Sequence, residues 1–359
     1  MSGNFISIII PTFNEKENIN KLIERLSIVF SGMNYEIIIV DDNSKDGTIA
    51  VIKNLKPIFP VNLLVREDEK GLATAVIHGI NYAKGNIICV MDADLQHPPE
   101  VSIKLLKALE DGADLAIASR YIEGGKCLKW GLFRRLNSKF ALSLSHILLP
   151  KTRQIKDPMT GYFMFKRDKI NGINLRPIGY KILLELIVMG KFSNIIEIPF
   201  TFAERFGGES KLRFSQQIDY LKHVISLVKR SGELLRIFKF ILVGTSGVIV
   251  NLFILWFLTT HLGIPYYISA IISIELSIIS NFLLNNYFTF ADRRSPKQDA
   301  FFGKMSKFNF NCIVGASIQY VIMIILTSIF KIHYLLSNLI GIGSAFIWNY
   351  LLSNLWVWK

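Results

Sequence analysis

Along roughly the first 235 residues, short apolar runs alternate with stretches of helical spacing. Residues 5–10 form an apolar run that stops at Pro11-Thr12, and 15–30 follow with Ile19, Leu22, Ile23 and Leu26 on one helical face. A second strand pattern, 35–40, ends at Asp41-Asp42, where Ser44 or Asp46 can cap the next helix. Strand-like 61–65, helical 71–82, strand-like 86–91, a helix opened by Pro98-Pro99 and strand-like 113–119 continue the alternation. Apolar strands interleaved with helices predict the α/β class: a mostly parallel sheet covered on both faces. Ligands of such sheets bind beyond the carboxyl ends of the strands. Pro11, Asp41-Asp42 and Asp92-Ala93-Asp94 all fall at those ends.

From Phe240 the pattern changes. Runs 240–260, 264–284, 308–330 and 335–358 are each long enough to cross about 30 Å of hydrocarbon. The chain therefore divides into a globular domain, 1–235, and a four-helix transmembrane domain, 236–359. Lys229, Arg230, Arg236 and Lys239 precede the first run, and Arg293, Arg294, Lys297, Lys304 and Lys307 lie between the second and third. The other two connections are short and carry little charge. This asymmetry places the globular domain, both termini and the 291–307 loop in the cytoplasm. Segments 130–149 and 214–235 mix apolar and basic residues as helices lying in the membrane interface do. Glu275, inside the second run, must find a partner or polar surroundings: a neutral carboxyl, a bond to Asn281 or Asn311, or a nearby lipid headgroup.

Composition adds little to this division. A hydrophobic fraction of 51% reflects the apolar second half, and the formal charge of +13 suits anionic lipid and phosphate-bearing substrates better than nucleic acid. Three scattered cysteines suggest neither a metal site nor a disulfide framework. The first ten residues read as a strand and lack the features of a signal peptide.

The chemistry concentrates at Asp92 and Asp94, two residues apart where a strand ends. Such carboxylates can share a divalent cation with a nucleotide diphosphate, and Gln96 can add an oxygen. Asp41 and Asp42 can hold ribose or the base edge, with Pro11, Thr12, Asn14 and Glu15 completing a nucleotide pocket and Lys70 adding phosphate contacts. A lipid phosphate attacking a sugar is already anionic and is positioned by arginine. Arg120, Arg134 with Ser138 one turn on, and Arg205 in a glycine-flanked segment are the candidates.

These motifs resemble family 2 glycosyltransferases of the GT-A fold, in particular the polyprenyl-phosphate sugar synthases. The matching pieces are Ile9-Ile10-Pro11-Thr12-Phe13-Asn14-Glu15, Val40-Asp41-Asp42-Asn43-Ser44, Met91-Asp92-Ala93-Asp94-Leu95-Gln96-His97-Pro98, Ser119-Arg120-Tyr121 and Asp157-Pro158-Met159-Thr160-Gly161-Tyr162-Phe163. Gly208-Glu209-Ser210-Lys211 extends the match. The second half resembles the GtrA-like four-span domain, with Asn285-Asn286-Tyr287-Phe288-Thr289-Phe290 echoed by Asn354-Leu355-Trp356-Val357-Trp358. That echo hints at a duplicated two-helix unit. The joined architecture is similar to archaeal dolichol-phosphate mannose synthases.

The resemblance implies inverting transfer of mannose from GDP-mannose to a dolichyl or other polyprenyl phosphate. It makes Asp94 and Gln96 ligands of Mg²⁺ or Mn²⁺, with Asp92 beside them. Arg120, Arg134 and Ser138 would hold the acceptor phosphate, and Arg205 would bridge donor and acceptor, with Lys211 on the donor side. Glucose synthases share these motifs, so UDP-glucose is the alternative donor. A hydroxyl acceptor, or a lipid-linked sugar flippase with a regulatory soluble half, are the readings from other classes.

Overall fold

The computed structural model describes residues 3–127, 132–202, 214–293 and 298–358. The chain forms two compact units, Met1–Ser231 and Gly232–Lys359.

In the first unit, strands β1 (Phe5–Thr12), β2 (Asn34–Asp41), β3 (Val61–Val65) and β4 (Ile87–Val90) alternate with helices α1 (Lys16–Val29), α2 (Thr48–Leu55) and α3 (Leu72–Tyr82). Helix α4 (Val101–Glu110), strand β5 (Leu115–Ser119), the short β6 (Lys126–Cys127) and helix α5 (Leu132–Leu148) follow. Then come β7 (Phe163–Lys166), α6 (Ile182–Met189), β8 (Ile195–Pro199), β9 (Thr201–Phe202) and α7 (Phe214–Arg230). The seven-stranded sheet runs β3-β2-β1-β4-β7-β5-β8, and β6 pairs with β9 in a small second sheet. Every pair in the large sheet is parallel except those of β7, which is antiparallel to β4 and β5.

Both faces of the sheet are covered, as continuous apolar strands require. On β1, Ile6, Ile8 and Ile10 point into one layer with Ile19, Leu22 and Leu26 of α1, while Ile9 points into the other with Val76 and Ile80 of α3. Helix α7 packs Tyr220, Val224, Leu227 and Val228 against Leu184 and Val188 of α6. Its other face exposes Ile218, Leu221 and Ile225, an apolar stripe at helical spacing. The expected helix through 235 ends sooner. Gly232 adopts φ +83, a left-handed conformation that stops α7 and starts the next helix.

The second unit consists of α8 (Glu233–Thr260), α9 (Tyr266–Leu284), α10 (Gln298–Ile324) and α11 (Tyr334–Leu352). With their π-helical extensions these give four helices long and apolar enough to cross a membrane. The two hairpins repeat at an offset of 68 residues, the sequence distance from Phe240 to Phe308. Gly247 faces the amide of Asn281, and Gly315 that of Asn349, so closely that neither glycine has room for a Cβ. Gly263 and Lys331, both at positive φ, turn the two hairpins. Ser269 and Ser337 donate to the carbonyls of Ile264 and Ile332. Each hairpin closes with a π-turn, Asn285–Thr289 or Ser353–Val357. Phe290 and Trp358, the residues after those turns, stack on each other at 4.5 Å. Glu275 is bonded by Asn309 Nδ2 at 2.5 Å, not by Asn281 or Asn311. Asn281 is held against Gly247, and Asn311 donates to the Asn349 carbonyl.

Candidate active site

The carboxyl ends of β1, β2, β4 and β5 form one edge, and most predicted site residues gather there. Asp92 and Asp94 follow β4 directly. The turn that carries them holds Leu95 at φ +61 with its side chain buried, a conformation that costs about 1–2 kcal/mol for a non-glycine residue. Asp94 Oδ1 accepts the Gln96 N–H at 3.1 Å, and the Asp92 N–H donates to His97 Nδ1 at 3.1 Å. His97 is buried, stacked on Tyr162 at 5.1 Å and ringed by Phe200 and Phe202. It therefore anchors the turn. Gly161 lies against the Asp92 carboxylate, where a Cβ would stand 3.0 Å from both oxygens.

The residues present fit a divalent cation. Burial pushes the Asp92 carboxyl up, and neighbouring Asp94 adds to the rise, together outweighing the lowering by His97, Lys181 and Arg120. Asp92, its proton affinity raised by burial and by the Asp94 carboxylate two residues on, presents the charge a hard cation relieves. Among the described residues no three His, Cys, Asp or Glu side chains cluster, so a cation here would complete its shell with oxygens of substrate or water.

The strand-end carboxylates of β2 serve their own loops. Asp41 is fully buried and accepts from Thr12 Oγ1, Ser44 Oγ and the Ser44 N–H, each at 2.7 Å. These bonds tie the ends of β1 and β2 together at this edge. Asp42 accepts from Arg66 Nε at 2.8 Å and from the Gly71 N–H at 2.7 Å. That bond takes up the backbone donor expected, beside Lys70, to meet phosphate; the Lys70 ammonium lies 5.6 Å over the exposed Phe13 ring. Asn14, at φ +56, donates its N–H to Ser44 Oγ and accepts from the Lys45 N–H. Glu15 N–H donates to Thr48 Oγ1. Pro11 lies within β1 opposite Val40. Asp46, and not Ser44, takes the first N–H of α2, at 3.0 Å from Thr48.

Arg120 follows β5. Its Nε and Nη2 bind the two oxygens of Asp157 at 2.7 and 2.8 Å, and its N–H donates to Asp157 Oδ2 at 3.0 Å. Its guanidinium carbon also lies 5.4 Å from the Tyr121 ring and 5.6 Å from that of Phe202. Tyr121 Oη hydrogen-bonds Ser138 Oγ at 2.8 Å, which brings Ser138 of α5 to the same edge. Arg134 falls on α5, but its side chain, and all of Arg205 and Lys211, lie outside the described residues.

Several contributors to the site receive no role from the sequence. Asp157, deeply buried, donates its backbone N–H to the Glu197 carboxylate of β8 at 2.9 Å, as Lys156 does at 2.8 Å. Lys181 donates to the Met159 carbonyl at 3.0 Å and brings positive charge toward Asp92. Asp157 stands only at the head of the matched Asp157–Phe163 motif, with no role given, and Lys181 carries no mark.

Comparison with known proteins fits this geometry. The model of glycosyl transferase family 2 matches residues 7–173, and that of the GtrA/DPMS transmembrane domain matches 239–358. The chain is 44% identical to a dolichol-phosphate mannosyltransferase of Pyrococcus furiosus over 353 residues, 98% of this chain and 99% of that one. It is 38% identical to the Saccharomyces cerevisiae dolichol-phosphate mannosyltransferase over 237 residues, 62% of this chain and 86% of that one. Among solved structures, glucosyl-3-phosphoglycerate synthase of Mycobacterium tuberculosis matches with a TM-score of 0.52 and 18% identity, over 64% of this chain and 81% of that one. That last likeness concerns the fold alone.

Proposed function

Because the chain belongs to the dolichol-phosphate mannosyltransferases of glycosyl transferase family 2, we propose that it transfers mannose from GDP-mannose to dolichyl phosphate, giving dolichyl phosphate mannose and GDP. It is a glycosyltransferase with a multi-pass membrane domain. The observation that carries the phosphate acceptor is the pairing of Arg120 with Asp157. The Asp157 carboxylate, beside the acceptor-side residues, is committed to a guanidinium and is poorly suited to removing a proton. A hydroxyl acceptor would need such a base, whereas a phosphate arrives without its proton.

In this reading the donor diphosphate lies at the end of β4. Asp92, Asp94 and Gln96 would hold Mg²⁺ or Mn²⁺, which when bound would neutralise charge on the departing diphosphate. Thr12, Asn14 and Glu15 line the nucleotide side, over a wall braced by Asp41 and Asp42. Arg120, Ser138 and Arg134 would orient the dolichyl phosphate, Arg205 would bridge the donor and acceptor phosphates, and Lys211 would serve the donor side. One acceptor phosphate oxygen forms the new bond to the anomeric carbon. The bond from that carbon to the GDP oxygen breaks on the opposite face, and its electron pair leaves with GDP. The apolar stripe Ile218, Leu221 and Ile225 lies in the lipid interface, and the excess of positive charge keeps the catalytic unit and both termini cytoplasmic. The test is to supply the full chain in vesicles with GDP-mannose or UDP-glucose and dolichyl phosphate and follow nucleoside diphosphate release. Release of GDP alone supports mannose; release of UDP alone overturns the donor.

A further inference from the structure

The membrane unit carries a repeated feature that sugar transfer does not use. Each hairpin begins with two basic residues one helical turn apart: Arg236 and Lys239 in α8, Lys304 and Lys307 in α10. The members of each pair point differently. Arg236 is paired with Glu233 and, at 2.7 Å, with Asp292, and Lys304 donates to the Arg293 carbonyl at 2.9 Å. These two tie the bundle together. Lys239 instead lies 4.6 Å over the Phe288 ring and reaches the Phe288 carbonyl at 3.5 Å. Lys307 lies 5.4 Å over the ring of Trp356.

Phe288 and Trp356 are themselves related by the 68-residue offset, and each sits in the π-turn that closes its hairpin. Both rings are exposed, at 47% and 41%. The two stations lie at the same end of the unit, because Phe290 and Trp358, two residues beyond each ring, stack on one another. A ring face takes up little of an ammonium's capacity, which comprises three N–H donors and a full charge. An exposed ring beside it offers a flat apolar surface to a glycerol backbone or an acyl chain. Together these suit a phosphate ester attached to a lipid.

We propose that Lys239 with Phe288, and Lys307 with Trp356, form two equivalent sites for the phosphate of an anionic membrane lipid. The proposal rests on the membrane reading of this unit and is independent of the donor sugar. Ordinary interfacial anchoring would also place lysines and aromatics near headgroups, but without a fixed number of retained lipids. The two sites should therefore be read by stoichiometry.

The experiment is native mass spectrometry of the full chain released from detergent and titrated with phosphatidylglycerol. Wild type should retain two lipids in preference to phosphatidylcholine. Lys239→Gln and Lys307→Gln should each weaken one site about fivefold, and the double variant should weaken both by that factor. Lys→Arg should restore binding. Phe288→Leu and Trp356→Leu, which keep each lysine in place, should weaken the matching site while the melting temperature and GDP release hold steady. Unchanged retention in the double lysine variant, or equal retention of phosphatidylcholine, overturns the proposal. Displacement by millimolar inorganic phosphate would reassign the stations to free anions, and selective displacement by dolichyl phosphate would reassign them to the acceptor.

Discussion

Replacing Asp157 with Asn should separate positioning of the acceptor from binding of the donor. The Asp157 side chain is 1% exposed and that of Arg120 9%, and three bonds of 2.7, 2.8 and 3.0 Å join them. Removing one partner of a buried ion pair costs about 3–5 kcal/mol, because the other charge is left uncompensated. Asn keeps the volume and one accepting oxygen, so the lower end, about 3 kcal/mol, is expected. At about 2–4 °C per kcal/mol for a unit of this size, that is a fall of roughly 6–12 °C in the melting temperature of the soluble unit. Arg120→Gln should cost a similar amount by stranding Asp157. The double variant leaves no buried charge alone, so the two losses should fall short of additivity by about 2 kcal/mol. Kinetically, Asp157→Asn should raise KM for dolichyl phosphate and leave KM for GDP-mannose nearly unchanged, since Asp157 touches Arg120 and not the β4 turn. The assays are thermal unfolding in detergent and initial rates at varied concentrations of each substrate. Additive losses, or a rise confined to KM for GDP-mannose, would refute the reasoning.

Three other outcomes follow from separate parts of the molecule. Burial pushes the Glu185 carboxyl up, but bonds from His223, the Arg176 N–H and Arg230 outweigh it and hold its pKa below the ordinary value. Its contribution is thus present above the unfolded pKa of about 4.3 and disappears as pH falls through the folded value. A melting series from neutral pH downward should show that loss, and Glu185→Gln should flatten it. Gly247→Val drives a side chain into the Asn281 amide and should destabilise the first hairpin by about 1–3 kcal/mol, whereas Gly244→Val, which meets nothing within 4 Å, should not. Hydrogen exchange in α8 and α9, with α10 and α11 as internal reference, checks this. A fluorophore at Ile225→Cys should be quenched by brominated lipid in vesicles, while one at the exposed Lys53→Cys of α2 should be quenched little; equal quenching would remove α7 from the interface.

The parallel strands and their carboxyl ends were legible because each strand is an unbroken apolar run ended by a polar turn. The metal-binding candidates came with them, since Asp92 and Asp94 stand at such an end. The antiparallel direction of β7 was not legible, because an apolar run such as Phe163–Lys166 carries no mark of its direction. Strand-end carboxylates also look alike whether they face a ligand or their own loop. Asp92 remains partly exposed, whereas Asp41 is consumed by Thr12 and Ser44, a difference set by tertiary contacts. Asp157 stood in a matched motif, but its bond to Arg120 was not legible because the two lie 37 positions apart. The repeat in the membrane unit showed in the sequence only as an echo of two short motifs. Its real extent rests on glycine–asparagine contacts, serine bonds and left-handed turns that apolar composition conceals.

The most direct test is to incubate the full chain with GDP-mannose, dolichyl phosphate and Mg²⁺ or Mn²⁺, and to weigh the lipid product by mass spectrometry. Wild type should yield dolichyl phosphate carrying one hexose, formed only with the divalent cation present, and Asp94→Asn should yield almost none. A hexosyl lipid formed equally well by Asp94→Asn, or without any divalent cation, would contradict the assignment of the β4 turn as the metal-assisted donor site.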